Sequence, residues 1–304
     1  MIDNRTLRSR GEAAAAENRS ACRKLVLIYS GVLAALTLGL NGLYILLDSG
    51  ISGTGGLGGL GMRSVLQTMQ QILAYVNLIF TPFWTAGFQY AMIVMVRRRS
   101  PQPRDLLEGF HRIGRILGYL AFQFLLLVSV TTTAVNLGMT LFALSPMGAG
   151  VGEQLGLMET AALVAMVMAV FLPLYGWLSY SFRMALFLVM DGAVSGVRAH
   201  FDSMHLMRGH KWQLFKLDLS FWWYYALGLL ATAVGYLDLI LGLMGVKLAM
   251  DPTVLFFITM VVYCLIQLAV SLWKKCPVDA AYVLAFEAIT HPEEEPAPAQ
   301  TDMV

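Results

Sequence analysis

At 304 residues, 58% of them hydrophobic and only 13% charged, with a mean hydropathy of +0.66, the chain is no ordinary soluble domain, in which about a quarter of residues carry charge. A net charge of +2 gives no reason to expect nucleic acid as a partner. The apolar residues fall in blocks longer than the roughly 20 needed to cross a bilayer, so the chain reads as an all-α, polytopic membrane protein.

Residues 1–24 form a polar, helix-prone arm, and the apolar block behind them is too long for a cleaved signal peptide. Six spans are expected, at about 25–47, 65–96, 116–144, 156–190, 214–244 and 254–273. Their runs are continuously apolar instead of alternating, which points to helices and not to barrel strands. Of the 21 Lys and Arg, all but Arg63 and Lys247 fall on one side of this arrangement. The positive-inside rule then places both termini in the cytoplasm.

The outer loop after the first span contains GTGGLG at 53–58. It fits G-x-G-x-x-G literally, yet no strand precedes it and no βαβ unit surrounds it, so it reads as a flexible connector. Pro82 in span two and Pro173 in span four are expected to kink their helices. Each is followed by a polar helix with glycine and basic residues and a return to the membrane, which suggests a two-span unit used twice, 65–144 and 156–244, in parallel orientation. After span four, Asp191 is placed to cap a cytoplasmic amphipathic helix. Val194, Val197, Phe201 and Met204 lie on one side of it and an Arg198–Asp202 pair on the other. Gly209 lets the chain bend, and Lys211, Trp212 and Lys216 stand at headgroup level.

The segment LMRGHKWQLFKLDLSFWW, with Met207, Gly209, Lys211, Phe215, Leu217, Leu219, Ser220 and Phe221, resembles a recurring block of the domain-of-unknown-function 975 family. Pro82, Gly87, the DLLEGF run that includes Gly109 and Phe110, and CPVDAAYVLAFEAI at 276–289 resemble its other recurring segments. Where the family often has Gly-Trp after the Ser-Phe pair, this chain has Trp222, Trp223 and Tyr224, and the family's closing Pro-Tyr is here Pro277 and Val278. The resemblance implies a bacterial integral protein of the cell membrane with six spans and no assigned activity.

Candidates for chemistry are few. His200, His205 and His210 recur every five residues and step around a helix instead of sharing one face, so no metal site is expected from them, and His111 lies in another loop. Cys22, Cys264 and Cys276 lack paired spacing, and no disulfide is expected. There is no H-E-x-x-H, G-x-S-x-G or Walker loop, so neither an enzyme nor a cofactor is expected. Asp238, with Asn41, Asn77 and Asn136, falls in the outer half of its span, and these four are the candidates for lining a cavity open to the exterior. The competing reading solvates Asp238 at headgroup level and has the asparagines hydrogen-bond between helices. Val278, Tyr282, Phe286 and Ile289 form the stripe of a last surface-packed helix, and residues 291–304 read as a disordered acidic tail.

Three functions follow. Foremost is a non-enzymatic accessory or assembly module acting through membrane and cytoplasmic-face contacts, with the lipid bilayer and other membrane proteins as partners. A transporter or lipid-handling protein with an outward-opening polar cavity is the alternative, and a membrane enzyme comes third.

Overall fold

The computed structural model describes residues 4–52, 57–97, 100–145, 157–192, 194–237, 241 and 252–291, and among them there is no strand. Helix α1 covers Asn4–Glu17, α2 Arg19–Ser52 and α3 Leu57–Val96. A 3₁₀ turn at Pro103–Leu107 leads through the short α4, Glu108–His111, to α5, Ile113–Leu144. Then come α6 (Leu157–Ser181), α7 (Ala185–Asp191), α8 (Arg198–Leu206), α9 (Lys211–Ser220), α10 (Trp222–Gly235) and α11 (Pro252–Val270). A π-helical turn, Ser271–Lys275, runs on into α12, Cys276–Thr290.

Five helical stretches are long and apolar enough to cross a membrane, and a sixth results if α9 and α10, bent by 69°, are counted as one span. The expected fifth span is therefore not a single straight helix. Pro82 and Pro173 lie inside α3 and α6 without ending either helix. Asp238 and the tail from 292 onward lie outside the described residues, as do residues 53–56 of the glycine-rich stretch.

The chain forms two compact units, Met1–Arg112 with Lys216–Val304, and Ile113–Phe215. In the first, backbones meet at glycines. A Cβ on Gly11 of α1 would stand 2.9 Å from the Ala281 nitrogen and the Pro277 oxygen of α12. The expected stripe of α12 is buried at Val278, Tyr282 and Phe286. The DLLEGF run folds back on α3 so closely that a Cβ on Gly87 would overlap the Leu106 carbonyl, and one on Gly109 the Phe83 carbonyl. Phe110 then reaches into an aromatic group, with ring centroids 5.5 Å from Phe80 and 5.7 Å from Phe83. Aromatic packing of this kind adds to the apolar area removed from solvent.

In the second unit α5 and α6 form an antiparallel hairpin. Val130, Ala134, Gly138 and Phe142 are the buried residues of α5 in this stretch, and Gly138 lets Val167 of α6 approach where a Cβ would stand 2.6 Å away. The helix after α7 departs from expectation in one way. Asp191 ends α7 instead of capping α8, because Gly192 at φ 87° closes α7 in the left-handed conformation and α8 begins only at Arg198. The apolar stripe of α8 is exposed, as in an amphipathic helix that lies on a membrane surface. Val197, Phe201 and Met204 are exposed, while Ala199, His200 and Ser203 are buried.

Gly87→Ala and Gly109→Ala should each destabilise the protein by about 1–3 kcal/mol or more, since a backbone and not a side chain must give way. Gly114→Ala, which meets open space, should leave the thermal unfolding midpoint in detergent at or above that of the parent.

Candidate functional site

The segment between α8 and α10 is built from two breaks and the groups that hold them. The first is Gly209, at φ 90°, a conformation that glycine adopts without strain. It lies in a turn whose His210 N–H donates to the Met207 carbonyl at 3.2 Å. Next in the chain, Lys211 donates from Nζ to Ser181 Oγ at 2.6 Å and stands 4.1 Å from the Trp177 ring centroid. Ser181 Oγ donates to the Trp177 carbonyl at 2.8 Å, and Ser203 Oγ donates to the Ser181 carbonyl at 3.0 Å. Close Ser–Lys pairs serve as nucleophile and base elsewhere. Here the serine proton is committed to a carbonyl, the lysine nitrogen donates, and Ser181 has no exposed surface, so this pair presents no nucleophile. It fastens the start of α9 to α6. Phe215 completes the patch by stacking on Trp212 at 5.0 Å and meeting Tyr180 edge-on at 6.1 Å.

The second break is Phe221, where α9 ends and α10 turns away. Ser220 Oγ bonds back to the Leu217 carbonyl at 2.7 Å, a local bond that competes with helix propagation. The Ser220 carbonyl accepts instead from Arg8 Nη1 of α1 at 3.0 Å, and the Arg8 guanidinium lies 5.5 Å from the Phe221 ring centroid. Glu12 continues the chain of contacts, 3.5 Å from Arg8 and 3.0 Å from Lys274 Nζ. The Lys274 hydrogen bond holds the Glu12 carboxyl below the usual carboxylate range.

Beside this hinge the first unit contains a cleft of about 270 Å³. Tyr29, Ser30 and Thr37 of α2, Tyr224 of α10, Tyr263 and Gln267 of α11, and Ser271 and Lys275 of the π turn supply its polar wall. Lys275 meets Asp279 at 3.1 Å and lies against the rings of Phe88 and Tyr29, 4.6 and 4.8 Å from their centroids. Neither Asn41, Asn77 nor Asn136 lines this cleft. Asn41 donates to the Thr37 carbonyl at 2.7 Å, and Asn77 Oδ1 accepts from Thr81 at 2.7 Å, both within their own helices. Asn136 is exposed.

The histidines separate by environment. His200 is fully buried, stacked on Tyr119 at 4.7 Å and flanked by Phe122 at 4.6 Å. Its Nδ1 is 3.2 Å from the Gly196 carbonyl and its Nε2 is 3.3 Å from the Gln123 amide. Burial holds its pKa below the ordinary histidine value, so the ring is neutral. Both ring nitrogens face oxygens, the Gly196 carbonyl at Nδ1 and Gln123 Oε1 at Nε2, and which of them the neutral ring donates to is set by its tautomer. His205 is exposed, and His111 pairs with Glu108 at 3.5 Å when protonated.

Ser181, Arg8 and the cleft escape a reading of the sequence. Ser181 lies 30 positions from Lys211 and Arg8 lies 212 from Ser220, so no local spacing reports either contact. The π turn has a local sign, since Pro277 lacks the N–H that an α-helix would offer to the Trp273 carbonyl.

Two measurements check these assignments. Since the unfolded chain protonates at the ordinary histidine pKa of about 6.5 and folded His200 only at lower pH, its contribution to stability is complete above that value. It is lost as pH falls from about 6.5 toward the depressed folded pKa. The unfolding midpoint should drop over this window in the parent and drop less in His200→Gln. Arg8→Ala should raise amide exchange across residues 218–225, with Arg8→Lys intermediate; unchanged exchange would show that Arg8 does not hold the hinge.

Residues 57–250 match the profile of the family described as Protein of unknown function (DUF975). The match takes in Pro82, Gly87, the DLLEGF run and the whole of the 207–221 segment, and it stops before Cys276. No curated protein and no solved structure matches the chain. With both recurring blocks inside a match over most of its length, the chain belongs to the domain-of-unknown-function 975 family.

Proposed function

We propose that the protein is a non-enzymatic module of the membrane that works by lateral helix contacts, with its termini and the α8 surface on the cytoplasmic side. The observation that carries this reading is a polar stripe on α5. Ser129, Thr133, Asn136 and Thr140 are all exposed, and their spacing of four, three and four places them on one face of the helix. The buried residues of this stretch, Val130, Ala134 and Gly138, lie on another face, with Gly138 opposite the stripe. Thr140 meets its own backbone at the Asn136 carbonyl, 2.8 Å away, whereas the Asn136 amide makes no hydrogen bond among the described residues. In hydrocarbon, an amide left this way is costly, and interhelical hydrogen bonds are the usual relief. A partner helix with its own polar groups at that depth supplies it.

The charge distribution supports the orientation, since the basic residues collect at one set of helix ends. The alternative of a transporter or lipid-handling protein draws support from a different observation, the polar cleft of the first unit.

Photo-crosslinkers at positions 133 and 136, in native membranes, should capture one reproducible protein partner, whether another polypeptide or a second copy. A crosslinker at Leu172, on α6 and exposed, should capture lipid. Asn136→Leu should lower the yield from position 133 several-fold. Equal, diffuse crosslinking from all positions would overturn the reading.

A further inference from the structure

We propose that the cleft of the first unit binds a phosphate group, presented by a phospholipid headgroup or by a soluble phosphate. Two of its polar side chains, Ser271 and Lys275, come from the π-helical turn. Such turns make up well under 1% of residues and occur mostly as single insertions at functional sites. Lys275 engages Asp279, an interaction that uses one of its three donors, and Asp279 does not line the cleft. The Tyr224 hydroxyl forms no hydrogen bond among the described residues, nor does that of Ser271, and both line the opening.

The donor balance selects the ligand. An ammonium and several hydroxyls converge on one space, which is what phosphate oxygens take up in charge-assisted hydrogen bonds. A cation would be repelled by Lys275, and a neutral sugar would need acceptors that only Gln267 and the hydroxyl oxygens offer. The volume of about 270 Å³ lies just under the roughly 300–1,000 Å³ of small-molecule pockets, enough for a headgroup but not for acyl chains. Leu33, Ala34, Cys264 and Leu268 form the remainder of the wall, suited to a glycerol backbone and the start of a chain. Trp273 and Lys274 adjoin the cleft at the basic end of the helices, the level at which headgroups lie. This inference stands on the first unit alone and is independent of lateral contact through α5.

The test uses the full-length chain in mild detergent. Native mass spectrometry measures retention of dioleoyl phosphatidylglycerol against dioleoylglycerol, which lacks the phosphate, and calorimetry measures inorganic phosphate. Phosphatidylglycerol should be retained and dioleoylglycerol should not. Tyr224→Phe and Ser271→Ala should each weaken retention about tenfold, with the unfolding midpoint unchanged. Binding of inorganic phosphate with the same dependence on Tyr224, and no preference for phosphatidylglycerol, would keep the phosphate site and make its source soluble. Equal retention of the two lipids without phosphate binding would overturn the proposal, as would retention unaffected by both substitutions.

Discussion

In a chain this apolar, a helix can change direction only where the backbone groups it releases find other partners. Three interruptions in the second half each meet that demand differently. At Gly209 a tight turn satisfies its own carbonyl. At Phe221 the Ser220 carbonyl takes a guanidinium from a helix more than two hundred residues away. Ahead of Pro277 the helix widens into a π turn. The elements around these breaks are arranged to deliver the missing donors. This is why the arm at the start of the chain, polar and easily taken for an appendage, carries a structural duty.

Much of the helical architecture is legible in the residues, because long apolar runs are a property of composition and order alone. The glycine and aromatic residues of the family blocks also stand where backbones or rings must come close, as Gly87, Gly109 and Phe110 do. What stays hidden depends on contacts between distant segments. The outward stripe of α8 follows from His200 being drawn inward by Tyr119, Phe122 and the Gln123 amide. A helical pattern identifies an apolar face without saying whether protein or lipid will cover it. Asp191 looked like a cap because Asp is a good one, but Gly192 sits immediately after it and ends a helix more decisively.

The family block at 207–221 acquires a physical meaning from its contacts. Its glycine makes a turn, its lysine reaches Ser181, and its Ser-Phe pair forms a bend that Arg8 stabilises. None of these roles is chemical in the sense of a reaction. The bend that Arg8 holds leads into α10, which brings Tyr224 to the cleft.

The pairing of α1 with α12 has a consequence for how the molecule is made. Glu12 and Lys274 are 262 positions apart, so during synthesis the arm emerges long before the helix that covers it. The α5–α6 hairpin, local in sequence, is complete far earlier, in keeping with the tendency of chains to fold as units from the N-terminal side. The first unit, by contrast, is discontinuous and closes only when the last helix docks. Until then Leu7, Gly11 and Ala15 lack the partner surface of α12, and the guanidinium of Arg8 waits on a bend not yet synthesised. Closure of the first unit is thus gated by α12.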